Sequence, residues 1–516
     1  MCNKDNKIRK KLIGIRRRGL ALLLVLVLCS GVETPVLAAN SSQSMQKTNG
    51  VNSKKNKKKE KKELTWEEIQ ERELKRVYKM KIQSNKIKGW PKGPRTYGES
   101  GIVMDAGTGA ILYAKNIDRH EYPASITKVL TALLALENGK LSDEVYFSND
   151  CVSFIQPGDS TIGLRKGDKI TLEQALYATL LASANEAAYA VGENVGKNAG
   201  HDYNWFIDQM NEKCKELGGN NSHFANTNGL HDPNHYTCAR DMALIGRELF
   251  KYPEFFKIVQ TLNYKIPKSK TVQKHEFYQK HRMLWPGSAD YYKYAVGGKT
   301  GYTSDALATL ITMAKKGDTK LVCVVMRTHG RNIFHDTRNL FNYAYKNFKR
   351  TPVAGNETSK DIGEIIEDEN SGYVMLPKGV KFSDLKMKME VDRSKPSETT
   401  LNYTYRGHLV GNAKAKLSQS YLDAHKAKVE SSVSDKRSDS KSAKVMKSIK
   451  ALKNLNFKNI NANTLKENFK KCDGTTKKIV AGLGALLIIL ILLFIGRLIK
   501  MRHFRRKQKK AKKKKK

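Results

Sequence analysis

No two cysteines in this 516-residue chain are spaced as Cys-x-x-Cys, and none falls in a zinc-ligand pattern. The usual sequence signs of a structural zinc site and of a thioredoxin-like redox pair are therefore missing. Beyond residue 39 the cysteines are Cys151, Cys214, Cys238, Cys323 and Cys472, which read as isolated structural thiols, with Cys323 of "LVCVVM" in a buried strand. There is no internal repeat, which argues against solenoids and propellers. No segment with a core-forming pattern carries a basic stripe interleaved with aromatics, so no nucleic-acid partner is expected despite a formal net charge of +44. Acid is absent where base is densest. From Arg497 to Lys516 there are thirteen Lys or Arg and no Asp or Glu, and "KKNKKKEKK" at 54–62 is a second lysine block.

The two ends account for that charge. Residues 1–39 have a basic start ("KIRKKLIGIRRR"), an apolar run ("LALLLVLVL") and then "TPVLAA". This is the layout of a secretory signal peptide, cleaved after Ala38 or Ala39; Leu28 is too bulky before Cys29 for a lipoprotein site. Ile479 to Gly496 is eighteen residues without a charge, about 27 Å as a helix and enough to cross a hydrocarbon core. The basic residues after it are expected to stay in the cytoplasm. The sequence thus predicts a single-pass cell-membrane protein, tied down by its C-terminus, whose bulk faces outward.

Between the ends the pattern predicts a disordered, charged linker over 40–92, with a short helix opened by a capping box at Thr65–Glu68. A folded unit over 93–352 opens with a hairpin around Gly107-Thr108-Gly109. An apolar helix follows from about 125, capped at Asn138-Gly139. A second helix starts at the capping box Thr171–Gln174, and others cover "YNWFIDQMNEKCKELG" and "TCARDMALIGRELF". Strands take over at "YKYAVGGKTGY", "ALATLITMA" and "KLVCVVMRT", and "IFHDTRNLFNYAYKNF" closes the unit as a helix. Strands at both ends with helices between them predict an α/β (α+β) fold, a mostly antiparallel sheet covered by helices. Strict alternation in "LKMKMEV", "LNYTY" and "NAKAKL" predicts a small all-β domain over 368–420. A polar tether (421–476), the transmembrane helix (477–498) and the basic tail (499–516) complete the chain.

The chemistry starts with "EYPASITKVL". Ser125 and Lys128 are one helical turn apart on one face. Ser125 lies where free backbone N–H groups and the helix dipole favour an oxyanion. Lys128 lies in an apolar helix, where desolvation lowers an amine's pKa and leaves it able to take a proton. Such a pair is an activated nucleophile. A capped helix with a solvated lysine would give the same four residues, so the pair carries weight only with two further elements. "SAN" at 183–185 interrupts the second helix, giving a hydroxyl for proton relay (Ser183) and an amide to hold a carbonyl (Asn185). "KTG" at 299–301 lies on a glycine-flanked strand. There Lys299 and Thr300 offer a charge and a hydroxyl to a carboxylate, and Gly297, Gly298 and Gly301 let a substrate backbone lie close, as an added strand would.

The three motifs in this order match those of class A β-lactamases and penicillin-binding proteins. From about Trp90 to Leu417 the chain resembles the low-molecular-mass penicillin-binding proteins, the serine-type D-alanyl-D-alanine carboxypeptidases. The likeness lies in "DAGTGAILYAKN", "YPASITKVLTALLALE", "ASANEAA", "NTNGLHDPNHYTCARDMALI", "VGGKTGYTSDA" and the β-domain. The resemblance implies a β-lactamase/DD-peptidase-like fold, peptidoglycan stem peptides as substrate and β-lactams as covalent inhibitors, with no cofactor and no metal. It also implies Ser125 as acylated nucleophile, Lys128 as base, and Ser183 and Asn185 as proton relay and substrate clamp. Lys299 and Thr300 would hold the terminal carboxylate beside Gly301, and the N–H groups of Ser125 and Tyr302 would form the oxyanion hole. Two positions depart from the family. Leu307 stands where glycine is usual, and Ile333 stands where an arginine is common near the last helix, with Arg331 two residues earlier. His231, Asp232 and His235 read as part of a Pro-containing loop rather than a metal site, and Glu186 as helix surface rather than an acid catalyst. The competing functions are a β-lactamase and a catalytically idle wall-binding protein.

Overall fold

The computed structural model describes residues 64–425, except 367–370, 392–394 and 396. The expected signal peptide, transmembrane helix, basic tail and most of the tether lie outside the described residues, as does Cys472. Among the described residues no helix is long and apolar enough to cross a membrane.

The chain enters its main sheet through the hairpin β1 (Ser100–Asp105) and β2 (Ile111–Lys115). A helical excursion follows, carrying two small strand pairs: β3 (Glu144–Tyr146) with β4 (Lys169–Thr171), and β5 (Asn263–Ile266) with β6 (His275–Tyr278). The chain returns as β7 (Ala295–Thr303), β8 (Leu307–Lys316) and β9 (Thr319–Thr328). The five-stranded sheet runs β2-β1-β9-β8-β7 and is antiparallel throughout. β7, the KTG strand, is its edge.

Period-2 geometry explains the unbroken apolar run in β9. Val322, Val324 and Met326 enter the core shared with the helical region, including the Ala239–Glu248 helix. Leu321, Cys323 and Val325 enter the core on the other face, beneath the Asn332–Asn347 helix through Leu340, Phe341 and Ala344. Each fully buried Leu or Val side chain contributes roughly 1.5–3 kcal/mol, so helices cover the sheet on both sides.

Two expectations need correction. Residues 64–92 are folded, not a disordered linker. The Thr65–Glu68 capping box opens a helix at Trp66–Tyr78, Val77, Ile82 and Trp90 are buried, and Trp90 donates its indole N–H to Leu112 O at 3.0 Å. Three well-spaced apolar anchors suffice where composition alone reads as solvated. The Lys128–Asn138 helix does stop at Gly139, whose N–H donates to Ala135 O, though with φ −128° rather than a left-handed turn; a Cβ there would come 2.7 Å from Leu172 Cδ2, so packing explains the glycine. The second sheet also begins upstream of 368.

That sheet comprises β10 (Phe348–Pro352), β11 (Ile362–Ile366), β12 (Tyr373–Pro377), β13 (Lys386–Val391), β14 (Glu398–Tyr405) and β15 (His408–Leu417). Its order is β10-β12-β15-β14-β13, with β11 also paired to β15. β10 is short, charged and ends in proline, the signature of an edge strand rather than of an alternating one. The two sheets meet at the β1–β2 turn. Asp105 accepts from Thr108 N (2.8 Å) and Oγ1 (2.7 Å), Tyr373 donates its hydroxyl to Asp105 Oδ2 at 2.9 Å, and Asn412 donates to Thr108 O at 3.2 Å.

Candidate active site

Ser125 lies in a short 3₁₀ turn, Ala124–Thr127, that leads directly into the Lys128–Asn138 helix. Ala124 has φ +50°, which costs an L-residue roughly 1–2 kcal/mol. Strain of this kind persists only where neighbours over-determine the backbone, and they do here. Thr309 donates to Pro123 O at 2.7 Å and Thr127 to Ala124 O at 2.9 Å.

Lys128 is fully buried. Its Nζ lies 3.0 Å from Ser125 Oγ, 2.7 Å from Asn185 Oδ1 and 2.6 Å from Asn228 O. Burial, aided by the charge of Lys299, holds its pKa well below the ordinary lysine value. An uncharged amine has two N–H donors and one lone pair. The amide and the carbonyl take the donors, which aims the lone pair at the Ser125 hydroxyl.

The Ser-Ala-Asn element closes a helix that loses its α register. A π-helical turn, Ala178–Ala182, ends at Ser183 in the left-handed region (φ +64°), and Asn185 begins the next helix, Asn185–Asn198. Such π-turns gather at functional sites because they turn side chains off the helix face. Glu186 is wholly buried, not helix surface. Its Oε1 accepts from Thr161 Oγ1 (2.6 Å), Ile162 N (2.8 Å) and Gly163 N (3.2 Å), while Asn185 N donates to Ser160 O at 2.8 Å. Adjacent residues thus hold the 160–163 loop beside the site.

Lys299 points inward from β7, its Nζ 3.0 Å from Ser183 Oγ and 2.7 Å from Thr300 O. Burial, with the charge of Lys280, pushes its pKa down to about 7. Lys280 itself donates to Ser160 Oγ at 3.2 Å. The glycines serve packing from inside the protein as well as any ligand. Gly298 has φ +147°, and a Cβ there would meet His281 Nε2 at 2.8 Å. A Cβ at Gly301 would meet Thr309 Oγ1 and come 2.8 Å from Ser125 N, so this glycine lets β7 lie against the Ser125 turn. Tyr302, the next residue, is 70 % exposed at the rim.

Ser125, Lys128 and Asn185 therefore meet directly, as do Ser183 and Lys299; Thr300, Gly301 and Tyr302 follow along β7. Asn228 was not singled out by its side chain, because its contribution is a backbone carbonyl. His235, Thr127 and Thr131 also bear on the Ser125 turn and the helix after it; the two threonines lie within "YPASITKVLTALLALE" and His235 within the run "NTNGLHDPNHY". His231, Asp232 and His235 do not converge. His231 stacks edge-on to Tyr122 at 4.7 Å, while His235 turns inward to Thr127 at 2.8 Å.

The D-alanyl-D-alanine carboxypeptidase family model matches residues 90–330. The chain is similar to D-alanyl-D-alanine carboxypeptidase DacF of Bacillus subtilis, 31% identical over 310 residues, 57% of this chain and 76% of that protein. It is also similar to DacA of Haemophilus influenzae, 29% identical over 318 residues, 58% of this chain and 76% of that protein. A crystal structure of a Streptomyces DD-transpeptidase matches with TM-score 0.46 and 27% identity over 50% of this chain and all of that one. The chain belongs to the D-alanyl-D-alanine carboxypeptidase family.

Its two departures from the D-alanyl-D-alanine carboxypeptidase pattern have structural counterparts. Leu307 has φ +55°, the conformation a glycine would take freely. Arg331 is more than half exposed and binds Asp290 at 2.7 Å, and Ile333 is in the core.

Proposed function

We propose that this protein is a serine D-alanyl-D-alanine carboxypeptidase that removes the terminal D-alanine of peptidoglycan stem peptides through an acyl-serine, with Ser125 as nucleophile and Lys128 as base. The observation that supports these roles best is the Lys128 amine, buried and bonded to two acceptors, with its third position on Ser125 Oγ. Ser125 Oγ attacks the carbonyl carbon between the two D-alanines while its proton passes to Lys128. The oxyanion faces the N–H groups of Ser125 and Tyr302. The C–N bond breaks as that proton reaches the leaving nitrogen through Ser183, whose hydroxyl Lys299 holds. Water then attacks the ester, its proton passing to Lys128 and on to Ser125 Oγ as the acid is released. Lys299 and Thr300, with the nearby charge of Lys280, receive the terminal carboxylate, and Asn185 clamps the peptide carbonyl.

A β-lactam acylates Ser125 in the same way but keeps its leaving group tethered, which blocks water. The test uses the full chain in detergent, with a fluorescent penicillin and a D-Ala-D-Ala-terminated peptide. Covalent labelling and steady D-alanine release are expected, both abolished in a folded Ser125→Ala variant. Labelling that survives in that variant removes Ser125 from the mechanism. Rapid penicillin turnover without D-alanine release identifies a β-lactamase instead. The signal-like start, apolar span and basic tail support an outward-facing catalytic unit anchored in the cell membrane.

A further inference from the structure

The segment from His223 to Thr237 forms a closed loop. Its ends are paired through His223 with Tyr236 and through Thr237 with Glu121, just before the nucleophile turn. Its inner part lies along one face of the nucleophile helix. Thr131 Oγ1 donates to Thr227 O at 2.6 Å and Lys128 Nζ to Asn228 O at 2.6 Å. Gly229 (φ +81°) leaves no room for a Cβ against the Ala124 carbonyl. Residues 128 and 131 share one face of the helix, and Ala124 lies in the turn just before it.

His235 joins this loop to that face. It is 1 % exposed, and its Nδ1 accepts the Ala225 N–H at 2.9 Å. That fixes the neutral tautomer with the proton on Nε2, which donates to Thr127 Oγ1 at 2.8 Å. The Thr127 hydroxyl in turn donates to Ala124 O at 2.9 Å, beside Ser125 and on the strained residue. Burial pushes the imidazole pKa down to about 3 and so keeps it neutral. The charged or titratable groups bearing on it are Asp232, His223, His231 and Lys128; those bearing on Lys128 are Lys299, Glu186, Lys280 and Asp159.

We propose that His235 is a positioning residue for acylation: through Ala225 N–H on one side and Thr127 on the other, it sets the register between the 225–230 loop and the nucleophile turn that places the Asn228 carbonyl on Lys128. It touches neither substrate nor Ser125. A core histidine that merely fills space needs no chain of two directed bonds ending on the residue before the nucleophile. The inference rests on the reading of Ser125 and Lys128 as the acylating pair.

The test measures penicillin acylation rates on the full chain in detergent for His235→Gln, Thr127→Val and the double variant, with circular dichroism and thermal melts on the same samples. Each single variant is expected to acylate about 10- to 100-fold more slowly, with non-covalent affinity changed less than twofold. The double variant is expected to be no slower than the slower single one, because both break the same chain. Loss of the Asn228 contact admits water to Lys128, raises its pKa and moves the acid limb of the acylation profile to higher pH. Thr127→Val, nearly isosteric, carries the test if His235→Gln does not fold. Folded variants that acylate within twofold of the parent, lesions that multiply, or a lowered melting temperature with an unmoved acid limb each overturn the proposal. Ser125→Ala is run in parallel; labelling that persists there refutes the acylating pair, a different failure from that of His235.

Discussion

Lys299 shows how much a single buried amine can set. Its folded-state pKa is about 7 against an ordinary value of 10.5. Across that window the unfolded chain holds a proton that the folded chain has lost, so unfolding takes up a proton and stability rises with pH from about 7 to about 10. The stability difference between the parent and Lys299→Gln in urea is expected to grow in the parent's favour across that window, on top of what other buried groups such as Lys128 contribute; a difference that stays constant would mean that the amine stays charged in the fold. Leu307 belongs to the same scale. Leu307→Gly removes a left-handed leucine costing roughly 1–2 kcal/mol, offset by about 0.5–1 kcal/mol of glycine freedom. A net gain of about 0.5–1 kcal/mol is expected in the same assay. The motif residues were legible because each motif is short and shapes its own backbone. Asn228 was not, because any residue type supplies a carbonyl. Glu186 was misread because a carboxylate in a helix is usually solvated, and only the 160–163 loop reveals why this one is buried.

Elements bring these residues within reach of one another. β7 can approach the Ser125 turn because residue 301 has no side chain. Gly301→Ala would press a methyl group on Thr309 Oγ1 and the Ser125 amide. The strand or the turn must then move, and a shift of about 1 Å costs about 100-fold in rate. A folded Gly301→Ala protein with penicillin acylation within a few-fold of the parent would show that the contact is slack. Helices and strands with strong periodicity were readable, among them β14, whose burial alternates at every residue. β10 and residues 64–92 were not. The short charged strand and the sparse anchors Val77, Ile82 and Trp90 acquire meaning only from the core they enter.

For the whole molecule, the junction of the two sheets turns on Asp105, Tyr373 and Asn412. Tyr373→Phe deletes one of the three donors to Asp105 Oδ2 and leaves the two from Thr108. A loss of about 0.5–1.5 kcal/mol is expected, with penicillin acylation unchanged; slower acylation at full stability would tie the second sheet to catalysis. On the proposed topology, protease added to wall-stripped cells should release a penicillin-binding fragment by cutting within 421–476, and release only after lysis would reverse that orientation. Sequence pattern conveyed both sheets but not their junction, which joins residues 268 positions apart. The place of β7 at the rim of its sheet has a last consequence. A sheet margin grips a peptide through its amide groups, and what projects from them counts only where a pocket receives it. Stem peptides that differ in their third residue should therefore compete on nearly equal terms, whereas a single N-methyl group on the peptide beside the scissile bond should make a ligand the enzyme cannot read.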